Sequence, residues 1–174
     1  MDDTSDLFTK INTFIFDIDG VLTDGTVLVL ENGVQARRMN IKDGYALQLA
    51  IKKRYRVLVL SGADAGLVTS RLNKLGITSV HMSVTDKKNF VEYYISTNHL
   101  KAAEILYMGD DMPDLPPMRV VGLPVCPADA VTEVREVARY ISPLPGGAGC
   151  VRDVIEKVLK ARGHWTDTAS VASR

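Results

Sequence analysis

The chain has 174 residues, 46% of them hydrophobic, and its 21 lysines and arginines balance 21 aspartates and glutamates. This size and apolar content predict a single domain over residues 1–174, and the zero formal charge gives no electrostatic reason to expect nucleic acid or a membrane surface as a partner. The acidic N-terminus is unlike a secretory signal, no apolar run could span a bilayer, and two cysteines imply no disulfide framework, so a cytoplasmic protein is expected.

The predicted elements alternate between strands and helices. After a buried strand at 11–16 comes a hairpin at 26–39, called the flap here, whose Asn32-Gly33 turn is a strong hairpin signal. Further strands are predicted at 56–60, 77–82, 104–108, 121–125 and 139–141, and helices at 45–53, 65–75, 87–98, 116–120, 131–138 and 151–161. This order is typical of an α/β fold with a doubly wound, Rossmann-like parallel sheet, and the tail from about residue 164 is expected to be flexible.

Two carboxylates, Asp17 and Asp19, follow the first strand, and Gly20 and Gly25 turn the chain after them. Like charges at the end of an apolar strand are costly unless a cation neutralises them. Open α/β sheets also bind ligands at the carboxyl ends of their strands. A metal site is therefore the first hypothesis, and a pair of acidic turn residues is the alternative.

Three other features have roles that the sequence leaves open. Arg37 and Arg38 on the return strand of the flap could face an anionic ligand, but charges on a solvated sheet edge are common. Asp43 could be the N-cap of the next helix. The glycine-rich stretch 145–149 could bring backbone close to a ligand, or it could be a flexible connection.

Polar groups also follow other strands, and a parallel sheet places all these strand ends at one edge. Together they suit phosphoryl transfer: carboxylate oxygens hold Mg²⁺, one carboxylate attacks phosphorus, and the second moves the proton. A serine hydroxyl can donate to the phosphoryl group and a lysine can neutralise its charge. The residues concerned are Asp17, Asp19, Ser61, Lys87, Asp110 and Asp111.

The same positions resemble the four motifs of the haloacid dehalogenase superfamily, in order: Asp17-Ile18-Asp19-Gly20-Val21, Ser61-Gly62, Lys87 and Gly109-Asp110-Asp111-x-x-Asp114. The resemblance implies that Asp17 is the nucleophile and Asp19 the general acid and base. It implies that Asp17, the backbone carbonyl of Asp19, and Asp110 hold Mg²⁺. Asp111 and Asp114 would be supporting carboxylates, although Asp111 could instead only orient its neighbours.

The gap from Asp17 to Ser61 and the gap from Lys87 to Asp110 are both too short to hold a separate cap domain. A neighbouring subunit is therefore the simplest candidate to close the site. Three further stretches look like the capless 3-deoxy-D-manno-octulosonate 8-phosphate phosphatases: 19–25, 40–45 and Gly146-Gly147-x-Gly149-x-x-Arg152. That resemblance implies a homotetramer whose sites are completed by neighbouring subunits. It also implies a phosphorylated eight-carbon keto sugar acid, a precursor of lipopolysaccharide, as the small-molecule substrate.

The residues expected to bind this substrate are Asp43, Gly62, Arg71 and Lys74, and the resemblance implies that Arg71 and Lys74 do so across a subunit boundary. An arginine can grip a substrate carboxylate bidentately, but a solvated helix face is the alternative for both cations. After Ser61-Gly62 the nine-carbon relatives carry glutamate and many eight-carbon enzymes carry arginine, whereas this chain has Ala63. The missing glutamate argues against the nine-carbon substrate, and the missing arginine leaves the details of the eight-carbon assignment open. A phosphatase for a nine-carbon keto sugar acid 9-phosphate is kept as the alternative function.

Other classes of protein fit less well. A phospho-accepting signalling domain would place its acidic pair before the accepting aspartate, and here the acidic pair, Asp110-Asp111, comes last. A non-catalytic protein of this fold would be expected to lack Asp17, Asp19 or Lys87, and a sugar phosphomutase would need a cap.

Overall fold

The computed structural model describes residues 4–64, 66–166 and 171. Its main sheet has six parallel strands in the order β5-β4-β1-β6-β7-β8, and β2 and β3 form a separate antiparallel pair. The strands are β1 Thr13–Asp17, β2 Leu28–Val29, β3 Gln35–Ala36, β4 Arg56–Leu60, β5 Ser79–His81, β6 Ile105–Met108, β7 Leu123–Cys126 and β8 Tyr140–Ile141. The helices are α1 Thr4–Lys10, α2 Ile41–Lys52, α3 Leu67–Lys74, α4 Lys87–Thr97, α5 Leu115–Met118, α6 Thr132–Val137 and α7 Cys150–Ala161. The predicted α/β fold with a flap is confirmed.

The central strand β1 is buried along its whole length, as expected for a parallel strand covered on both faces. Its side chains alternate: Phe14 and Phe16 join the core beneath α1, α2 and α7, and Ile15 joins the core beneath α4 to α6. The sheet therefore lies between two helical layers. Cys126 and Cys150 are buried free thiols, one in each core, which agrees with a chain without disulfides.

Helix α2 begins four residues earlier than predicted, because Asn40 is its N-cap and accepts a hydrogen bond from the Lys42 backbone N at 2.8 Å. The prediction that Asp43 is this cap is wrong. Asp43 lies inside the first turn of α2, and its Oδ1 accepts from the backbone N of Arg152 at 2.7 Å. Asp43 thereby caps α7. The N-cap residue of α7 is Gly149, which has no side chain that could accept this hydrogen bond.

The start of the C-terminal segment packs against α2 and α7. The Trp165 ring meets the Tyr45 ring edge-on at 6.1 Å, and the Arg152 guanidinium lies 5.3 Å from the Trp165 ring centre. The flexibility of the tail stays a prediction, and residues 167–170 and 172–174 lie outside the described part. No described helix is both long and apolar enough to cross a bilayer.

Candidate active site

The strand register brings the predicted polar residues together. Asp17, the last residue of β1, pairs with Leu60 of β4, and the preceding residue of β1 pairs with Met108 of β6. Ser61 follows β4 directly and Asp110 lies two residues after the end of β6, so both lie at the same edge as Asp17. The carboxyl edge of the sheet is therefore the candidate site, as open α/β sheets favour.

The loop after β1 is a tight coil over Ile18–Leu22. Gly20 has a φ of +85°, and a Cβ there would lie 1.9 Å from Oδ2 of Asp110. Thr23 Oγ1 donates to the Ile18 carbonyl at 3.3 Å and accepts from the Gly20 N at 3.3 Å, which fixes the coil. Only glycine adopts this backbone conformation readily and also leaves room for the Asp110 carboxylate.

The glycine-rich stretch before α7 packs directly against this coil. A Cβ on Gly146 would lie 2.0 Å from the Gly20 carbonyl oxygen, and the Gly147 N donates to the Val21 carbonyl at 3.0 Å. The close backbone approach of this stretch is therefore to the coil that follows β1, and its approach to a ligand stays a prediction.

Lys87 is the first residue of α4, after its N-cap Asp86, where a cation is unfavourable for the helix dipole. Two carboxylates account for it: Nζ lies 3.0 Å from Asp17 Oδ1 and 2.8 Å from Asp114 Oδ1. Burial disfavours the ammonium, but Asp114 and Asp17 outweigh burial and raise the pKa of Lys87. Lys87 therefore stays charged inside the site.

Asp114 organises the last motif. Its Oδ1 also accepts from the Tyr107 hydroxyl at 2.8 Å, and its Oδ2 accepts from the backbone N of Asp110 at 3.0 Å and of Asp111 at 3.4 Å. Asp111 is exposed, and its side chain accepts from the Met112 N at 2.7 Å. Asp114 thus positions Lys87 and the 110–111 backbone, whereas Asp111 caps the short turn that follows.

Three carboxylates converge at the edge: Asp17, Asp110 and Asp114 offer oxygens within 4.8 Å of one another. Burial raises the pKa of Asp110 to about 8, and Asp114 and Asp17 add to the rise. Burial, then Asp114, also raise the pKa of Asp17 against the opposing effect of Lys87. Among the described residues, none forms a hydrogen bond with the buried Oδ1 of Asp110. Because one ammonium faces three carboxylates, the site is suited to a divalent cation.

Asp19 points toward the flap. Arg37 Nε donates to its Oδ1 at 2.5 Å and Nη2 to its Oδ2 at 3.2 Å, a bidentate ion pair. Arg38 is 88% exposed in its side chain and pairs with Asp24 at 2.9 Å. Arg37 therefore faces the candidate site, as in the first interpretation of the flap arginines. Arg38 faces solvent, as in the second.

A cavity of about 1160 Å³ opens between the flap and the start of α3. Asp19, Ser61, Gly62 and Arg71 are among the described residues that line it. The Ser61 side chain is buried, and its Oγ accepts from the Ala63 backbone N at 3.1 Å. The structure thus brings Arg71 and the polar strand ends to a single cavity.

Two predicted substrate-binding residues lie elsewhere. Lys74 is exposed on α3 and is not among the described residues that line the cavity. Asp43 is 1% exposed and faces α7, so it cannot touch a ligand in this cavity. Its assignment to substrate binding is therefore corrected to the support of the α7 N-terminus.

The sequence reasoning missed Thr23 and Tyr107 and did not pair Arg37 with Asp19. Tyr107 is the one hydroxyl-bearing residue in the apolar strand β6, three residues before Asp110, and this position was an available signal. Thr23 and Arg37 offered no such signal, because their partners depend on how the coil and the flap fold.

The fold and this site together are typical of hydrolases that act on phosphate esters. A family model described as haloacid dehalogenase-like hydrolase matches residues 63–149. The 3-deoxy-D-manno-octulosonate 8-phosphate phosphatase of Escherichia coli K12 is 34% identical over 154 residues, which cover 88% of this chain and 82% of that protein. The chain belongs to the haloacid dehalogenase-like hydrolase family, and it is a phosphatase.

Solved structures agree over almost the whole chain. The phosphatase of the same name from Yersinia pestis superposes with a TM-score of 0.90 at 32% identity, covering 94% of this chain and 88% of that one. The one from Moraxella catarrhalis, solved with magnesium, phosphate and KDO, has a TM-score of 0.91 at 27% identity and covers 95% of each chain.

Proposed function

We propose that the protein hydrolyses 3-deoxy-D-manno-octulosonate 8-phosphate to the free sugar acid and phosphate in lipopolysaccharide precursor synthesis. The observation that carries this proposal is the single cavity that Asp19, Ser61 and Arg71 line together. A sugar acid phosphate has an anionic group at each end. The phosphoryl group fits the carboxyl edge of the sheet, and the carboxylate fits the arginine.

In the proposed reaction, a carboxylate oxygen of Asp17 attacks phosphorus and the bond to the ester oxygen breaks. Asp19 gives a proton to the departing sugar oxygen, which leaves an aspartyl-phosphate on Asp17. Asp19 then takes a proton from water, the water oxygen attacks phosphorus, and Asp17 is released with inorganic phosphate. Ser61 donates to a phosphoryl oxygen, and Lys87 balances the charge on Asp17 and the phosphoryl group.

The proposed cofactor is Mg²⁺, held by Asp17, Asp110 and the backbone carbonyl of Asp19. The buried Oδ1 of Asp110, with which no described residue forms a hydrogen bond, supports a cation there. The oxygens of Asp114 already accept from Lys87, Tyr107 and backbone amides, so Asp114 is proposed to position these groups. When bound, Mg²⁺ would supply charge neutralisation for the phosphoryl group.

A nine-carbon keto sugar acid 9-phosphate remains the alternative substrate, because Ala63 matches neither related pattern. Ala63 lines the cavity and contributes its backbone N to Ser61 rather than a charged side chain. A phospho-accepting signalling role is less well supported, since the chain is a member of a hydrolase family.

The protein is further proposed to be one domain, located in the cytoplasm, that assembles as a homotetramer with shared sites. The flap supports assembly, because Leu28 and Val29 expose 63% and 68% of their surface beside the cavity. A second copy of the chain would cover these side chains. Sedimentation should give an oligomer, and a monomer fully active at nanomolar dilution would refute the shared site.

The test is phosphate release from the eight-carbon and nine-carbon esters, measured side by side with and without Mg²⁺. Asp17→Asn should abolish turnover and Asp19→Asn should reduce it strongly, whereas Asp6→Asn, on the exposed surface of α1, is the matched control. Most of the turnover surviving in Asp17→Asn would show that another residue attacks phosphorus. A preference for the nine-carbon ester would select the alternative substrate.

A further inference from the structure

Arg37 is the flap residue whose side chain contacts the coil Ile18–Leu22, called the catalytic loop here. Its side chain is 14% exposed, although it starts from a hairpin that is largely open to solvent. Both oxygens of the Asp19 carboxylate accept from this one guanidinium, and both residues line the cavity. The ion pair therefore crosses the space that a bound phosphate ester would have to enter.

The pairing also affects Asp19. The carboxylates that converge at the edge are those of Asp17, Asp110 and Asp114, and Asp19 is not one of them. Its carboxylate is instead held toward the flap by two charge-assisted hydrogen bonds. For Asp19 to serve the ester oxygen of a substrate attacked by Asp17, this pair has to open.

We propose that Arg37 binds substrate by exchanging partners: it leaves Asp19 when a phosphate ester enters and grips a phosphoryl oxygen instead. The exchange releases Asp19 toward the ester oxygen. This inference deepens the proposed function and rests on it, since it requires a phosphate ester at this edge of the sheet. It makes Arg37 both a substrate-binding residue and the residue that sets the position of Asp19.

The chemistry of the two partners favours such an exchange. A guanidinium fork fits phosphate oxygens as well as it fits a carboxylate, and a phosphoryl group carries more charge. Asp19 keeps 35% of its side chain exposed, and ion pairs that water reaches contribute little net stability.

The flap is also suited to the movement. Each of its strands pairs through only two residues, and a single bridge from Thr23 to Met39 ties its base to the catalytic loop. A two-stranded hairpin of this length is marginal by itself, so a small displacement of Arg37 needs little rearrangement.

The experiment measures the affinity for inorganic phosphate by isothermal titration calorimetry with Mg²⁺ present. Arg37→Ala should weaken phosphate binding by about tenfold or more, the usual range for a hydrogen bond to a charged group. Arg37→Lys, which keeps the charge but loses the fork, should fall between. Arg38→Ala is the matched control, because this neighbour points to solvent, and it should stay within about twofold of the wild type.

A second pair of variants tests the exchange itself. In Asp19→Ala the guanidinium is no longer held, so phosphate affinity should rise severalfold, and the rise should vanish in Asp19→Ala/Arg37→Ala. Unchanged phosphate affinity in Arg37→Ala, or a rise that persists in the double variant, would overturn the proposal. If the wild type binds phosphate but does not hydrolyse the eight-carbon ester, the substrate assignment fails while these titrations still decide the role of Arg37.

Discussion

Replacing Asp43 with asparagine should change how the stability of the protein depends on pH. Asp43 is 1% exposed, and its Oδ1 accepts from the backbone N of Arg152. No described residue forms a hydrogen bond with its buried Oδ2. Burial raises the pKa of Asp43 from its ordinary 3.8 to about 6, although the Arg152 amide and charge oppose the rise. The difference is worth on the order of 3 kcal/mol between the neutral and charged forms.

The sign follows from proton linkage. Because the folded protein holds this proton more tightly than the unfolded chain, Asp43 favours the folded state most below about pH 4. This contribution falls as the pH rises from about 4 to about 6 and is absent above that range. The asparagine variant keeps an acceptor for Arg152 but has no charge. Its free energy of unfolding relative to wild type should therefore rise by on the order of 3 kcal/mol between about pH 4 and pH 7.

Urea unfolding, followed by circular dichroism at several pH values with a chelator present, measures this difference. Asp43→Ala should share the same pH dependence and also lose about 1 kcal/mol at every pH, because the α7 cap is removed. Asp6→Asn, on the exposed surface of α1, is the control for loss of one carboxylate. If the curves of wild type and Asp43→Asn run parallel from pH 4 to pH 7, Asp43 is not a buried charged group, and the reasoning is wrong.

Three further predictions concern the active site. Mg²⁺ should raise the melting temperature of the wild type, and Asp110→Asn should abolish that rise, since the carboxylate whose Oδ1 has no partner among the described residues would be gone; an equal rise in both would place the cation elsewhere. Tyr107→Phe should cost about 1 kcal/mol and lower kcat, because Asp114 loses a buried donor; unchanged unfolding and turnover would contradict this. Gly33→Ala, in open space at φ +79°, should lower the free energy of unfolding by about 1–2 kcal/mol. Gly20→Ala should lower it clearly more and abolish turnover, because the added Cβ would strike Asp110. Equal losses of stability in the two variants would contradict the clash.

Much of the fold followed from local patterns. Strand β4 was predicted at its observed bounds, because a short apolar run that ends at Ser61-Gly62 is typical of a buried parallel strand. The helix boundaries were less accurate. Helix α2 starts at Ile41 because Asn40 outcompeted Asp43 as the cap, and both are good capping residues.

The candidate site divides in the same way. That Asp17, Ser61 and Asp110 lie together follows from topology, because each lies at or within two residues of the carboxyl end of a parallel strand of one sheet. The partners of Asp43 and Arg37 could not be predicted. They lie 109 and 18 residues away along the chain, on elements whose relative positions are set by packing.

The sequence by itself determined the alternation of strands and helices and the chemistry at the strand ends, because burial and turn formation act over a few neighbouring residues. Only the tertiary structure decided what each charge faces. It placed Arg37 over Asp19 and left Arg38 in solvent, and it placed Asp43 against α7 instead of the cavity. The physical reason is that the free energy of a buried or half-buried charge depends on the groups that packing brings within a few ångströms of it. The pattern of apolar and polar residues along the chain does not determine those distances.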